Sequence, residues 1–303
     1  MVSIEKRTQR GRTYYRLVRT VRRNGKIAHL TSYIGKTLPS KERLREMEED
    51  LRKRPLGRIF AYLSPEEAKK IEEKREASRV ENESMSLVER RRRAEEFTIR
   101  FTYDSSKLSG VNVTLRQTAL ILKDGIVPKD IKSLLTVREL ENHKLGVAAI
   151  TKHKGVLDRS FMKKIHRILF SGVDDTVTGK FRDELERDVK IAGTPYVPPH
   201  WDSLPKEIGN FFRWYGAENK RLHPLELAAL VHLKVISMQP FADGNSRVSR
   251  LLMNWILWKR RYPLIDIPVE DLEEYYNVLD KYQIEKDEKP FIAYIVKKYM
   301  QTR

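Results

Sequence analysis

The residues richest in possible chemistry run Gln239-Pro240-Phe241-Ala242-Asp243-Gly244-Asn245-Ser246-Arg247-Val248-Ser249-Arg250. A proline and then Gly244-Asn245 bracket a short loop, and a second helix is expected to begin near Ser246. Such a loop aims backbone N–H groups and the positive end of a helix at one point, which favours a bound anion. Arg247 and Arg250 lie one turn apart, so they share a face and offer two fixed charges suited to phosphate oxygens. Asp243 faces the same space as a hard oxygen ligand for Mg²⁺ bridging phosphates. The pattern describes a di- or triphosphate cradle without a P-loop lysine. Its structural alternative is a common Asp-Gly-Asn turn whose arginines merely pair with carboxylates.

Two interior helices must hold this loop, one over 224–238 and one over 246–261, both apolar on every side. Around them, helical spacing predicts further helices over 114–123, 128–135, 137–153, 158–170, 204–218, 269–282 and 288–300. Residues 179–199 break the pattern: Gly179, Gly193, Pro195, Pro198 and Pro199 bracket Val189-Lys190-Ile191, the chemistry of a hairpin or loop. Segments 40–54 and 64–96 read as charged helices. Ser64-Pro65-Glu66-Glu67 supplies a cap, a first-turn proline and a capping box. His166 and His232 are expected as packed core histidines.

The N-terminus differs in character. Residues 1–36 hold ten Lys or Arg against one acid, Glu5, a net charge of +9. Two β-type runs, 13–18 and 26–34, flank Arg22-Arg23-Asn24-Gly25, and Asn-Gly is a strong two-residue hairpin signal. A small basic antiparallel unit is expected, with an edge strand over 2–8. It could lie along nucleic-acid phosphates, or contact the protein's own acidic surfaces. The expected domains are 1–36 as the β unit, 37–96 as a charged helical arm and 97–303 as a mainly α domain.

Composition narrows the classes. The chain has 303 residues, a formal net charge of +18, 40% hydrophobic residues and no cysteine. Disulfides, thiolate nucleophiles and cysteine-ligated metals are excluded. No apolar run approaches the ~20 residues of a membrane helix. The charged opening MVSIEKRTQRGR has no apolar stretch of the secretory kind, so a cytoplasmic location is expected.

The loop resembles the signature of the Fic family, HxFx(D/E)GN(G/K)RxxR. QPFADGNSRVSR matches every fixed position except the first and the residue after Asn245. Ser105-Ser106-Lys107-Leu108-Ser109-Gly110 resembles the family's inhibitory segment, (S/T)xxxE(G/N). Residues 139–154 and 166–172 resemble its core helices, and Gly179–Arg182 through Val189–Ala192 and Pro198-Pro199 its target-binding flap. Tyr275–Leu279 and Lys289–Ile292 resemble its adenine-side and closing helices.

The resemblance implies a mostly helical Fic-type domain with a β-hairpin flap. It implies binding of ATP with Mg²⁺ and transfer of AMP to a protein hydroxyl. Asp243 would hold Mg²⁺, while Gly244, Asn245 and Ser246 would line the phosphate anion hole. Arg247 would neutralise charge on the transferred phosphoryl and Arg250 would grip the outer phosphates. Val189, Lys190, Ile191 and Ala192 would clamp a protein target, presented near residues 183–193, by strand addition. Tyr275, Tyr276 and Gln283 would border the adenine.

Three positions depart from the pattern. Gln239 stands where the general base should be, and a carboxamide cannot accept the hydroxyl proton. Losing such a group costs ~10²–10⁴ in rate, while positioning and charge stabilisation carry much of phosphoryl transfer. A natural pseudoenzyme, a deliberate substitution or another base would each explain it. Ser109 replaces the inhibitory glutamate, and Ser246 places a side chain beside the anion hole. Losing brake and base together fits natural drift better than a single deliberate change. The expected function is an ATP-binding adenylyltransferase fold with slow catalysis. The alternative is a non-enzymatic, nucleotide-sensing adaptor.

Overall fold

The computed structural model describes residues 2–9, 12–23, 26–53 and 61–302, with the side chains of 9, 12, 21–23, 26–30 and 53 left aside. The chain falls into two compact units, one of residues 1–63 with 217–223 and one of residues 64–216 with 224–303.

The first unit is an antiparallel sheet of β1 (Val2–Gln9), β2 (Arg12–Arg23) and β3 (Lys26–Gly35), in the order β1-β2-β3, followed by α1 (Lys41–Lys53). Arg23 pairs with Lys26 across the hairpin and Ile4 with Leu17 across the first pair. The expected hairpin is therefore present, while the Asn24-Gly25 turn itself lies outside the described residues. Leu17 and Leu51 are both fully buried, and Arg19 donates to the carbonyls of Leu51 and Arg52, joining α1 to the sheet.

The second unit is helical. It contains α2 (Pro65–Ser84), α3 (Leu87–Lys107), α4 (Leu115–Ala119), α5 (Leu134–Lys152), α6 (Arg159–Phe170), α7 (Leu204–Glu218), α8 (Pro224–Met238), α9 (Asn245–Lys259), α10 (Leu272–Glu285) and α11 (Lys289–Gln301). At its centre, α8 and α9 are buried along nearly their whole lengths. A helix with no polar face requires neighbours all round, and α5, α6, α10 and α11 supply them. Among the described residues no helix is long and apolar enough to cross a membrane.

Three sequence expectations change here. The helix expected over 64–96 is two helices. Ser64 and Glu67 cap the first as expected, and Ser86 with Glu89 forms a second capping box that starts α3. The helix expected over 128–135 is a turn, in which Asp130 accepts from Gln117 at 2.6 Å, and α5 begins only at Leu134. Proline and the turn-forming Lys129-Asp130 pair outweigh the apolar spacing there. The expected β-hairpin of the flap contains no strand. Residues 182–185 form a single 3₁₀ turn, and 187–191 belong to no helix or strand.

Candidate functional site

The loop joining α8 to α9 is built around an asparagine turned inward. Asn245 Oδ1 accepts the Phe241 N–H at 2.8 Å, and its Nδ2 donates to the Phe241 carbonyl at 2.8 Å and to Gln239 Oε1 at 2.7 Å. Gln239 completes the clasp by donating from Nε2 to the Ile236 carbonyl at 2.7 Å. The opposite amide orientation would set two donors and two acceptors against each other, so these bonds fix it. Gln239 also adopts a left-handed φ of 48°, which ends α8 abruptly. Both ends of its carboxamide are engaged within the loop.

An aromatic stack seats the loop. His166 lies between Phe170 and Phe241, with ring centroids 4.4 and 3.9 Å away, and Phe241 meets Phe181 at 5.1 Å. His166 Nδ1 accepts the Gly179 N–H at 2.9 Å, so Nε2 carries the proton and donates to the Asp243 carbonyl at 3.2 Å. Burial, with a smaller contribution from Arg247, holds its pKa down to about 4, which keeps the ring neutral as this bonding requires. The histidine is packed as expected, and it also ties the loop to the start of the flap. Gly244 has φ 74°, and a Cβ there would stand 2.3 Å from Phe170 Cε2. Only glycine meets both conditions.

The anion hole differs in part from expectation. The Gly244 N–H is taken by Asp243 Oδ1 at 2.5 Å. The N–H groups of Asn245, Ser246 and Arg247 have no acceptor among the described residues, and no side chain caps α9. Arg247 is nearly buried, lies 5.1 Å over the Phe170 ring and pairs with Glu139 at 2.8 Å and more loosely with Asp243 at 3.9 Å. Its Nε is buried without a partner among the described residues. Asp243 has a side chain 74% exposed, and among the described residues its Oδ2 has only the loose ion pair with Arg247. That leaves one carboxylate oxygen toward solvent, which suits Mg²⁺, an ion that commonly takes one or two carboxylates and fills its remaining positions with water and phosphate oxygens.

Arg250 is fully buried, and no carboxylate pairs with it among the described residues. Nε donates to Ser105 Oγ at 2.9 Å and Nη1 to Ser246 Oγ at 2.6 Å, while Nη2 donates to the Ser105 carbonyl at 2.8 Å and Ser109 Oγ at 2.9 Å. Desolvation is the largest influence on it and lowers its pKa. Ser109, at the inhibitory-segment position, therefore does meet Arg250, as a neutral acceptor. Ser246 joins it through its hydroxyl.

The adenine-side expectations divide. Tyr276 is 45% exposed and donates to the Leu108 carbonyl at 3.2 Å. Tyr275 is only 1% exposed, with its hydroxyl 2.9 Å from His232 Nε2, so it is a core residue and offers no open ring face. Gln283 is likewise buried, and its carbonyl accepts from Lys286 at 2.9 Å. Val189 and Ile191 are half-buried, while Lys190 and Ala192 are exposed. Their backbone makes no main-chain hydrogen bond among the described residues.

Sequence reasoning missed the residue that joins flap to loop. Arg182 is fully buried and donates from Nε to the Gln239 carbonyl at 2.7 Å. It also donates from Nη2 to the Pro199 carbonyl, approaches Asp188 at 3.4 Å, and donates its backbone N–H to the Pro240 carbonyl at 2.9 Å. Glu139 and Ser105 were also missed. Their partners lie 108 and 145 residues away in sequence, and no local pattern signals such pairs.

The Fic/DOC family model matches residues 156–257. The chain is 32% identical over 248 residues to the protein adenylyltransferase Fic of Drosophila melanogaster, covering 78% of this chain and 47% of that protein. It is 31% identical over 241 residues to the Drosophila mojavensis protein of the same description, covering 78% and 46%. The chain thus spans about half the length of the curated relatives it matches. A Fic domain containing signaling protein from Bacteroides thetaiotaomicron superposes with a TM-score of 0.68 at 25% identity, covering 78% of this chain and 93% of that one. Fic-1 from C. elegans shares the fold, with a TM-score of 0.65 at 21% identity over 86% of this chain and 71% of its own. The chain carries a Fic/DOC domain.

Proposed function

We propose that this chain binds ATP at the α8–α9 loop and serves, slowly, as a protein adenylyltransferase. The observation that carries the reading is Arg250, a buried cation whose hydrogen-bond acceptors among the described residues are all neutral oxygens. A buried charge without a counter-ion is costly, and a phosphate that displaces the Ser109 and Ser246 hydroxyls would supply one. The unpartnered Arg247 Nε and the open first turn of α9 lie in the same loop and call for the same ligand. The adenylyltransferase relatives support AMP as the transferred group.

In this reading Arg250 holds the outer phosphates, Arg247 offsets charge growing at the α-phosphoryl, and the amides of Asn245 and Ser246 receive its oxygens. Asp243 would hold Mg²⁺, which when bound neutralises phosphate charge. The target hydroxyl oxygen bonds to the α-phosphorus, the bond to the bridging oxygen breaks, and pyrophosphate leaves with that electron pair. The hydroxyl proton passes to water, because Gln239 is engaged by Asn245 and Ile236 and has no basic atom to offer. The unpaired backbone of Val189–Ala192 is an edge on which an extended target segment can add. The engaged carboxamide also favours a second reading, in which the domain senses nucleotide without turning it over.

The test uses ATP labelled at the α-phosphate, with lysate as the source of targets. The adenylyltransferase reading expects faint labelling by the chain as it stands and strong labelling by Gln239→His. Silence from both, with ATP still bound, would leave the sensing role.

A further inference from the structure

Arg247 and Arg250 stand one turn apart on α9, yet they are held in different ways. Arg250 has only neutral acceptors among the described residues, whereas Arg247 has a carboxylate, Glu139 of α5. The place of that carboxylate follows from how closely α5 and α9 approach. A Cβ at Gly146 of α5 would stand 2.9 Å from Leu251 Cδ1 of α9. Residues seven apart on one helix and four apart on the other share a face, so the contact that seats Gly146 on Leu251 also turns Glu139 toward Arg247.

The helix that carries Glu139 is itself fixed on two sides. Asn142 donates to the carbonyls of Leu169 at 3.1 Å and Ser171 at 2.9 Å, and His143 Nδ1 lies 2.9 Å from Thr102 Oγ1 of α3. Between Leu169 and Ser171 stands Phe170, whose ring centroid lies 5.1 Å from Arg247 Cζ. One helix thus sets the acid beside Arg247 and, through Asn142, the segment whose ring the arginine rests on.

The guanidinium meets Glu139 by one corner. Nη1 donates to Oε1 at 2.8 Å, in a pair whose side chains are 6% and 19% exposed. Nε and Nη2 form another edge, the side-by-side donors with which arginine grips two oxygens at once. Among the described residues Nε has no partner, and Nη2 has only the loose ion pair with Asp243 at 3.9 Å, beyond hydrogen-bond length.

We propose that Glu139 is the positioning residue that holds Arg247 by Nη1 and so presents its Nε–Nη2 edge to two oxygens of the ligand's α-phosphoryl group. This rests on the nucleotide-binding reading above. A long side chain loses rotamer freedom when it grips a ligand, and Glu139 removes much of that freedom beforehand. An acid beside a phosphate also repels it, so reach and charge act in opposite directions. Two substitutions separate them. Glu139→Asp keeps the charge and falls one methylene short, whereas Glu139→Gln keeps the reach and an acceptor oxygen without the charge.

Calorimetric titration of the full chain with Mg²⁺-ATP reads both. Glu139→Asp is expected to weaken ATP about fivefold to tenfold, and Glu139→Gln to hold the wild-type affinity or exceed it. In an Arg247→Met background Glu139→Asp should cause no further loss, because the acid acts through the arginine. Tighter binding by both single variants would make Glu139 a competitor for Arg247 and overturn the proposal. So would Glu139→Gln as weak as Glu139→Asp, or the same loss from Glu139→Asp with and without Arg247, which would mean general loosening of α5. A wild-type chain that binds no ATP overturns the nucleotide reading and this proposal with it, whereas ATP binding indifferent to Glu139→Asp overturns this proposal alone.

Discussion

A carboxamide in place of an imidazole changes more than proton transfer. Gln239 bonds Ile236 and Asn245 at once, so it stabilises the loop that a base would only occupy. Gln239→Ala should cost about 1–3 kcal/mol for two lost hydrogen bonds, measured as a drop in urea midpoint. Gln239→His gives up the same clasp and gains a base, so it should lower stability while raising AMP transfer by about 10²-fold or more. The two effects have opposite signs in two assays on one variant. The identity of this residue, and its incapacity as a base, follow from the sequence by chemistry alone. Its attachment to Asn245 does not, because the left-handed turn at Gln239 brings together side chains that a helical spacing would set apart.

Among the elements, the α8–α9 loop was legible because glycine, proline and helix-start chemistry are local. What lies beneath it was not. Phe170 closes the space beside Gly244 from a different helix, and nothing in the loop's own residues points to that partner. Gly244→Ala should therefore destabilise by more than about 2 kcal/mol, combining a left-handed backbone with a clash. Pairing it with Phe170→Leu should return part of the loss, leaving the backbone share, as a double-mutant cycle in denaturant would read. The flap was misread as a hairpin for a related reason. Its glycines and prolines do mark a turn-rich segment, but its anchorage is Arg182, which bridges Gln239, Pro199 and Asp188. Arg182→Gln should raise amide hydrogen exchange in residues 182–199 and in the 239–241 segment together. Exchange rising in the flap alone would mean the two are independent.

For the whole molecule, helical class and the central pair of apolar helices came directly from residue spacing and charge. The boundaries did not. Charge suggested divisions at 36 and 96, while the compact units divide near Leu63. Ala68 and Ile71 bury one side of an otherwise charged α2, and two small apolar faces carry little weight in a composition profile. Buried histidines make a prediction at this scale. Burial, with nearby arginines, holds His143 and His232 down to about 3 and His166 to about 4, from an ordinary 6.5. Below pH 6.5 the unfolded chain takes up protons that the folded chain refuses, so stability falls as pH drops from about 6.5 toward 4. Each histidine contributes up to about 1.4 kcal/mol per pH unit. Asp266, whose carboxyl burial and the neighbouring Asp104 push well above its ordinary range, acts in the opposite sense. Melting temperature should decline steadily across that window, and a flat profile would contradict the buried, neutral assignment.

The functional reading rests on a polyphosphate held by Arg250, and calorimetric titration of Mg²⁺-ATP into the chain and into Arg250→Met addresses it directly. Saturable binding to the wild type, weakened about tenfold to a hundredfold by loss of one charged hydrogen-bonding group, is the predicted result. No heat from the wild type, or equal affinity in the two proteins, would contradict it.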